Sequence, residues 1–122
     1  MAITVSATAD AERTMIVATA LDYFEGWFDG NAVRMERALH PELAKRGPGL
    51  RTVTKDEMVA WTAAGEGKAK DPGRGRRIDV SVVDVHEEMA SAVVDSDVYR
   101  EYLHLVRTDD GWKIVNALWQ ST

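Results

Sequence analysis

The chain has 122 residues, a formal net charge of −5 and no cysteine. This length is typical of one compact domain. The absence of cysteine excludes disulfides, thiolate nucleophiles and cysteine-ligated metal centres. The negative charge argues against a nucleic-acid-binding protein, because Lys and Arg contacts to phosphates supply most non-specific affinity.

Nothing in the sequence indicates insertion into or passage across a membrane. The longest apolar run near the start, residues 15–21, is too short to cross a bilayer and is followed by acidic residues. No basic segment precedes an apolar run at the N-terminus, so no secretory signal is visible. We therefore expect a cytoplasmic protein without a membrane span.

A long first helix is predicted in the first quarter of the chain. We expect it to begin at Thr8 or Asp10, which are good N-cap residues, and to end near Asp29, before Gly30-Asn31. Apolar residues recur at helical spacing along one side of it: Ile16, Val17, Ala20, Leu21, Phe24, Trp27 and Phe28. This pattern predicts a wide buried stripe and a solvated opposite side.

Shorter elements follow the first helix. A second helix is predicted over residues 32–39, and His40-Pro41 would end it. Within residues 42–53, Gly47-Pro48-Gly49 indicates a turn or a small hairpin.

A third helix is predicted from about Lys55 to Ala64, because Thr54 and Glu57 have the spacing of a capping box. The next segment, residues 65–77, contains four Gly, one Pro and five basic residues. We expect it to be either a mobile lid that attracts an anionic ligand or a solvated, flexible loop.

The C-terminal half alternates with a period of two, which predicts strands. The expected strands cover about residues 78–85, 90–97, 99–107 and 112–119. The first pattern slips by one residue between Val82 and Val83, as a β-bulge would make it. Thr108–Gly111 fits a type I turn with Gly111 in the left-handed conformation. Three helices followed by an antiparallel meander predict an α+β domain with helices on one face of a curved sheet.

Several segments carry a family resemblance. Tyr102-Leu103-His104-Leu105 and Asp110-Gly111-Trp112-Lys113-Ile114-Val115-Asn116 resemble the end of the putative lumazine-binding family, within the NTF2-like superfamily. His40-Pro41 after a short helix and Tyr23-Phe24-Glu25-Gly26 in the first helix also match, so the resemblance spans nearly the whole chain.

This resemblance implies a cone-shaped domain of the SnoaL-like, cystatin-like kind. A long helix would lie across a strongly bent sheet, with a cavity between them and usually a dimer. Relatives in the superfamily include ketosteroid isomerase, scytalone dehydratase, limonene epoxide hydrolase and polyketide cyclases, while others only bind or dimerise. The resemblance therefore indicates a fold and leaves the function open.

The polar face of the last two strands is the first candidate site. The expected pairs are Thr108 with Trp112, His104 with Asn116 and Tyr102 with Leu118. Pockets combine apolar walls with a few polar groups, which favours the face of Tyr102, His104 and Asn116 as the cavity lining. The alternative is that these residues lie in solvent or at a dimer interface while the apolar face packs inward.

Further candidates come from the helical half. His40 could act as a general base at the cavity mouth, or it could simply fill a turn. Tyr23, Trp27 and Trp61 could stack on a flat heteroaromatic ring, or they could belong to the core.

Carboxylates offer weaker candidates. Asp79, Asp95 and Asp97 could build a general base of the ketosteroid isomerase kind, or they could form a solvated face. The three histidines are isolated from one another, so we expect no metal site. The glycine-containing segments lack the dinucleotide and phosphate-loop patterns, and we expect no cofactor.

Two functions remain open at this point. One is a domain that binds a small apolar or heteroaromatic molecule. The other is a cofactor-independent isomerase, dehydratase or cyclase with His40 or a buried Asp as base and Tyr102 or Asn116 stabilising an oxyanion. A buried acid–base group beside Tyr102 in the pocket would favour the enzyme. A homodimer is also expected, from family habit and because Trp119 would be costly to expose.

Overall fold

The computed structural model describes residues 2–122, with side chains described from residue 9 onward. The elements are α1 (Ala2–Asp29), α2 (Ala32–Ala38), β1 (Leu39–Arg46), α3 (Lys55–Ala63), a 3-10 turn (Lys68–Lys70), β2 (Ile78–His86), β3 (Met89–Ser96), β4 (Tyr99–Thr108) and β5 (Gly111–Ser121). The helices pack against a five-stranded sheet of order β1-β5-β4-β3-β2, which confirms the α+β class. None of the described helices is long and apolar enough to cross a membrane.

The first helix is longer than expected at its start. It begins at Ala2, so the expected start at Thr8 or Asp10 is wrong, and the side chain of Thr8 lies outside the described residues. Residues 2–9 contain three Ala and neither Gly nor Pro, so nothing in them stops a helix. The end at Asp29 is confirmed, and Gly30 follows with a φ of 67°, a left-handed conformation that terminates helices.

The apolar stripe of α1 contributes to the core. Ile16, Ala20, Phe24 and Phe28 are buried, as the helical spacing predicts, whereas Val17, Leu21 and Trp27 are half-buried. The four buried side chains pack with the inward side chains of the sheet, which include Ala92, Val94, Leu103, Leu105, Ile114 and Ala117. Burial of these side chains supplies most of the stabilising free energy of such a layered fold.

The sheet contains one strand that the sequence did not predict. His40-Pro41 does not end the helical region in a turn; it lies in β1, which pairs in parallel with β5. The sheet is therefore mixed, and the expectation of a wholly antiparallel sheet is wrong. The register of β1 is irregular between Leu39 and Ala44, where Pro41 cannot donate a ladder hydrogen bond. An edge strand tolerates that loss.

The expected small hairpin is confirmed after β1. Lys45 and Val53 form an antiparallel bridge, with N–O distances of 3.0 and 2.7 Å. Between them, the Leu50 amide donates to the Gly47 carbonyl at 2.9 Å and closes a turn. We call residues 45–53 the edge hairpin.

The capping box in front of α3 is also confirmed. The Thr54 hydroxyl accepts from the Glu57 amide, and the Glu57 carboxylate accepts from the Thr54 amide. The helix ends at Ala63, one residue earlier than expected.

The β4–β5 hairpin reaches the expected register by a different path. Thr108 pairs with Gly111 and not with Trp112, so the expected turn pairing is wrong. A β-bulge between His104 and Leu105 then shifts the register by one residue. The two differences cancel, so the expected pairs of His104 with Asn116 and Tyr102 with Leu118 are present. The expected bulge in β2 is confirmed between Val82 and Asp84.

Candidate functional site

A cavity of about 430 Å³ lies between α1, α3, the edge hairpin and the inner face of β4 and β5. Aromatic side chains form most of its wall: Tyr23, Phe24, Trp27, Trp61, Tyr99 and Trp119. Leu50, Val53 and Met58 add aliphatic surface. Its charged residues are Lys45, Arg51 and Glu101. Such a mixture of apolar walls and few polar groups is typical of small-molecule sites.

Three of the residues predicted for the pocket line this cavity. Tyr23 and Trp27 come from neighbouring turns of α1, and Trp61 comes from α3. Tyr23 is buried, whereas Trp27 and Trp61 are half-buried. The two tryptophans therefore present ring surface to the cavity in addition to packing against the core.

The polar face of β4 and β5 points away from the cavity, so the expectation that it lines the pocket is wrong. Tyr102 is 50% exposed, and His104 is exposed beside Asn116, whose Nδ2 lies 3.4 Å from the His104 Nδ1. Leu103 and Leu105, which alternate with them, are buried. The sheet has the alternative orientation because burying the leucine face against the helices removes more apolar surface from water than burying the polar face would.

His40 also lies outside the cavity lining. It is half-buried in β1, and its Nδ1 accepts a hydrogen bond from the Glu42 amide at 3.0 Å. It therefore stabilises the local backbone, which is the alternative role that the sequence left open. As the base of a cavity reaction, His40 is badly placed.

The three candidate carboxylates gather around one arginine outside the cavity. The Arg77 guanidinium lies 2.6 Å from Asp79, 3.1 Å from Asp95 and 3.8 Å from Asp97. The positive charge of Arg77 offsets part of their negative charge. None of the three is buried, so they form the solvated group that the sequence left open as the alternative to a general base.

A buried polar network, which the sequence reasoning missed, lies in the cavity wall. Tyr23 Oη donates to Glu101 Oε1 at 2.7 Å, and Lys45 Nζ donates to Tyr23 Oη at 2.5 Å. Lys45 Nζ is also 3.6 Å from Glu101 Oε2. The Lys45 and Glu101 side chains are only 12% and 3% exposed. We call Tyr23, Lys45 and Glu101 the buried triad.

Burial shifts the protonation of two triad members in opposite ways. It raises the pKa of Tyr23 well above its usual range, and the nearby negative charge of Glu101 adds to the effect. It lowers the pKa of Lys45, because desolvation disfavours the ammonium form more than Glu101 favours it. Tyr23 therefore remains a hydrogen-bond donor throughout the neutral range, and Lys45 loses its proton more readily than an exposed lysine does.

One sequence signal could have revealed half of this network. Glu101 has the same strand parity as Leu103 and Leu105, so it had to share their face. A charged residue on a buried face needs a partner. No comparable signal existed for Lys45, because β1 was not predicted as a strand.

Two glycines allow the tryptophan walls to approach the backbone. A Cβ atom on Gly47 would lie 2.5 Å from the ring of Trp119, and one on Gly67 would lie 2.3 Å from Trp27. Trp27 Nε1 additionally donates to the Tyr99 hydroxyl at 3.3 Å. The Trp119 and Trp27 rings therefore lie directly against the backbone at Gly47 and Gly67, where no side chain comes between.

The basic segment 65–77 does not line the cavity, so it does not act as its lid in this structure. Arg76 joins the segment to α1 by an ion pair, because its Nη2 lies 2.8 Å from Asp29; the same atom is 2.9 Å from Asp71 within the segment. Its guanidinium also lies 5.4 Å from the Phe28 ring centre, within cation–π range. The exposed rim of the cavity is formed by the edge hairpin.

The triad predicts a pH-dependent effect of Tyr23→Phe. The substitution removes a hydrogen bond to a charged acceptor, so we expect the free energy of unfolding at neutral pH to fall by about 2 kcal/mol. The folded pKa of Tyr23 is raised above the unfolded value of about 10. Its stabilising contribution is therefore complete below pH of about 10 and is lost as the pH rises further.

Urea denaturation of wild type and Tyr23→Phe at neutral and alkaline pH measures both effects. Tyr102→Phe is the matched control, since Tyr102 is half-exposed on the outer face. We expect the difference between wild type and Tyr23→Phe to shrink at alkaline pH. Equal stability of the two proteins at neutral pH would contradict the role assigned to the triad.

Solved structures similar to this chain share its fold. An NTF2-like protein of unknown function from Silicibacter pomeroyi is 20% identical with a TM-score of 0.73, over 96% of this chain and 98% of that one. A second NTF2-like protein of unknown function, from Shewanella baltica, is 15% identical with a TM-score of 0.72, over 92% and 94%. A ketosteroid isomerase-like protein from Erwinia carotovora atroseptica is 17% identical with a TM-score of 0.66, over 88% and 94%.

At these identities the structures establish the NTF2-like fold and no activity. No curated protein matches the chain in sequence. The family model described as putative lumazine-binding matches residues 11–120. This match runs from the first half of α1 to within one residue of the end of β5 and includes the whole cavity wall. The chain belongs to the putative lumazine-binding family and has the NTF2-like fold.

Proposed function

We propose that the protein binds a small, flat, mostly apolar molecule in the cavity between the helices and the sheet. The observation that carries this proposal is an aromatic cavity with a single buried polar network in its wall. Its volume of about 430 Å³ falls in the range of small-molecule sites. The family description adds support, because lumazine is a flat heteroaromatic compound.

The distribution of groups in the cavity suggests how such a ligand would lie. The rings of Trp27, Trp61 and Trp119 offer surfaces for stacking, which is favourable for any planar π-system. The Lys45 ammonium has one more N–H than its contacts to Tyr23 and Glu101 use. A carbonyl oxygen of the ligand would accept from it. A neutral ligand fits best, because Glu101 already balances the charge of Lys45.

A ligand screen tests the proposal. Lumazine, pterins, flavins, steroids and small aromatic ketones are added to the protein, and the melting temperature is measured. A ligand at about 100 times its Kd stabilises the folded state by about 2.7 kcal/mol, which raises the melting temperature measurably.

Trp61→Leu removes one stacking surface and should weaken the affinity of that ligand about tenfold, since stacking contributes about 1–3 kcal/mol. Tyr102→Phe and His104→Ala are the controls, because both residues face away from the cavity. If the outer-face variants lose binding and Trp61→Leu does not, the ligand site is elsewhere.

A second candidate function is a cofactor-independent isomerase, dehydratase or cyclase. The buried carboxylate of Glu101, hydrogen-bonded to Tyr23 inside the cavity, favours it. The residues differ from those expected from sequence, since His40, Tyr102 and Asn116 lie outside the cavity. Glu101 would remove a proton next to a carbonyl group, and Lys45 would stabilise the oxyanion that forms.

Glu101→Gln separates this candidate from simple binding. A β,γ-unsaturated ketone serves as the probe, and its isomerisation is followed by ultraviolet absorbance. If Glu101 is the base, the substitution lowers kcat by a factor of about 100 or more while binding changes little. A wild-type protein that binds the ketone without converting it would leave the binding function and remove the enzymatic one.

We also propose that the chain forms a homodimer through the outer face of the sheet. Tyr102 and Leu118 pair on that face and are 50% and 46% exposed, and a groove beside them reaches Leu50 of the edge hairpin. Apolar surface of this kind favours association. Trp119 does not support the dimer as expected, because it is half-buried in the cavity wall. Residence in the cytoplasm stays a prediction.

Sedimentation of Leu118→Glu tests this assembly. A charge at the centre of a self-complementary interface meets its own copy across the two-fold axis, so we expect the variant to be monomeric. Val33→Glu is the matched control, because Val33 is 72% exposed on α2. A wild-type protein that sediments as a monomer at micromolar concentration would refute the dimer.

A further inference from the structure

Lys45 differs from the other lysines of the chain because it lines the cavity. The chain has five lysines, and Lys45 lines the cavity with its side chain only 12% exposed. Lys55 is nearly as well covered, at 13%, but its Nζ is 3.0 Å from Glu36 and it is not part of the cavity wall. Arg51, the other cation of the cavity, carries a guanidinium that is never a nucleophile at neutral pH.

We propose that Lys45 is a nucleophile that captures an aromatic aldehyde or ketone in the cavity as a Schiff base. This inference rests on the proposed binding function, because the cavity must first admit a flat apolar molecule. It adds a covalent step and a reactive group that the ligand must carry. The ligand class is thereby narrowed to aryl carbonyl compounds.

The covalent step needs only the lysine and the carbonyl compound. The neutral Nζ attacks the carbonyl carbon, a C–N bond forms, and the π electrons of the C=O bond move to oxygen, which receives a proton from the attacking nitrogen. The resulting carbinolamine loses water, and a C=N bond replaces the C–O bond. Hydrolysis reverses the sequence and returns both partners. No oxidant, reductant or cofactor enters the balance.

The surroundings of Lys45 suit each stage of this step. Attack requires the neutral amine, and burial lowers the pKa of Lys45. Loss of water from the carbinolamine requires a proton donor near the departing oxygen. Tyr23 Oη, which accepts a hydrogen bond from Nζ at 2.5 Å, can pass its hydroxyl proton to that oxygen and recover a proton from Nζ as the imine forms. The ring of Trp119, with its centre 5.8 Å from Nζ, helps to exclude water that would hydrolyse the imine.

Reductive trapping tests the proposal on the whole chain. The protein is incubated with 2-naphthaldehyde and sodium cyanoborohydride at neutral pH, and the product is examined by intact-mass measurement and peptide mapping. We expect one naphthylmethyl group, located on Lys45, with labelling of Lys45 faster than that of Lys55 by about tenfold or more. Labelling spread evenly over the lysines would overturn the proposal.

Two variants show whether the fast labelling depends on Lys45 itself. Lys45→Arg keeps a positive charge beside Glu101 but cannot form an imine, so it should lose the fast label. Lys55→Arg should keep it. If Lys45→Arg fails to fold, Lys45→Met with Glu101→Gln removes both charges together and gives the same comparison. Fast labelling that survives loss of Lys45 would overturn the assignment.

2-Naphthalenemethanol distinguishes failure of capture from failure of binding. It has the same ring system but no carbonyl group, so it should raise the melting temperature and protect Lys45 from the aldehyde. If the alcohol binds and the aldehyde does not label Lys45, covalent capture is wrong and the binding function stands. If neither compound binds, covalent capture and the binding function are both wrong for aryl ligands.

Discussion

The parallel pairing of β1 with β5 joins the helical half of the chain to the meander. Lys45 lies opposite Ala117 on β5, and Glu101 of β4 lies opposite Trp119, two residues further along β5. These pairings place the lysine and the carboxylate on the same face of the sheet, with β5 between their strands. The Trp119 ring of β5 lies near the lysine. Without β1 at this edge, Glu101 would be buried without a cation, and the edge hairpin that closes the cavity would have no anchor.

The cavity and the hydrophobic core lie in the same layer, between the helices and the sheet. Side chains of α1 and β3–β5 fill the space between helices and sheet, and Tyr23, Phe24 and Met58 belong both to this core and to the cavity wall. A buried ion pair is weak evidence for stability, because desolvation offsets much of the attraction between the charges. Shifted pKa values of Tyr23 and Lys45 in a cavity wall are more typical of a site that handles a ligand.

Arginine ion pairs fix several segments around this site. Arg34 and Arg37 bind Asp22 between α1 and α2, and Arg76 and Arg77 hold the C-terminal end of the 65–77 segment. Two of the five basic residues of that segment, Arg76 and Arg77, are thus paired with acidic neighbours, and none of the described ion pairs includes Lys68, Lys70 or Arg74.

The sequence by itself determined the helices and the meander, because caps, turns and alternating burial depend on residues close together in the chain. The pairing of His104 with Asn116 was expected from a turn register that is wrong, and a β-bulge restores it. The sequence also identified Tyr23, Trp27 and Trp61 as candidate ligand-binding residues, and all three line the cavity. Only the tertiary structure decided that β1 joins the sheet, which face of β4 turns inward, and that Lys45 meets Glu101. Those outcomes depend on contacts between distant segments, where the gain from burying leucines and pairing charges exceeds any local preference.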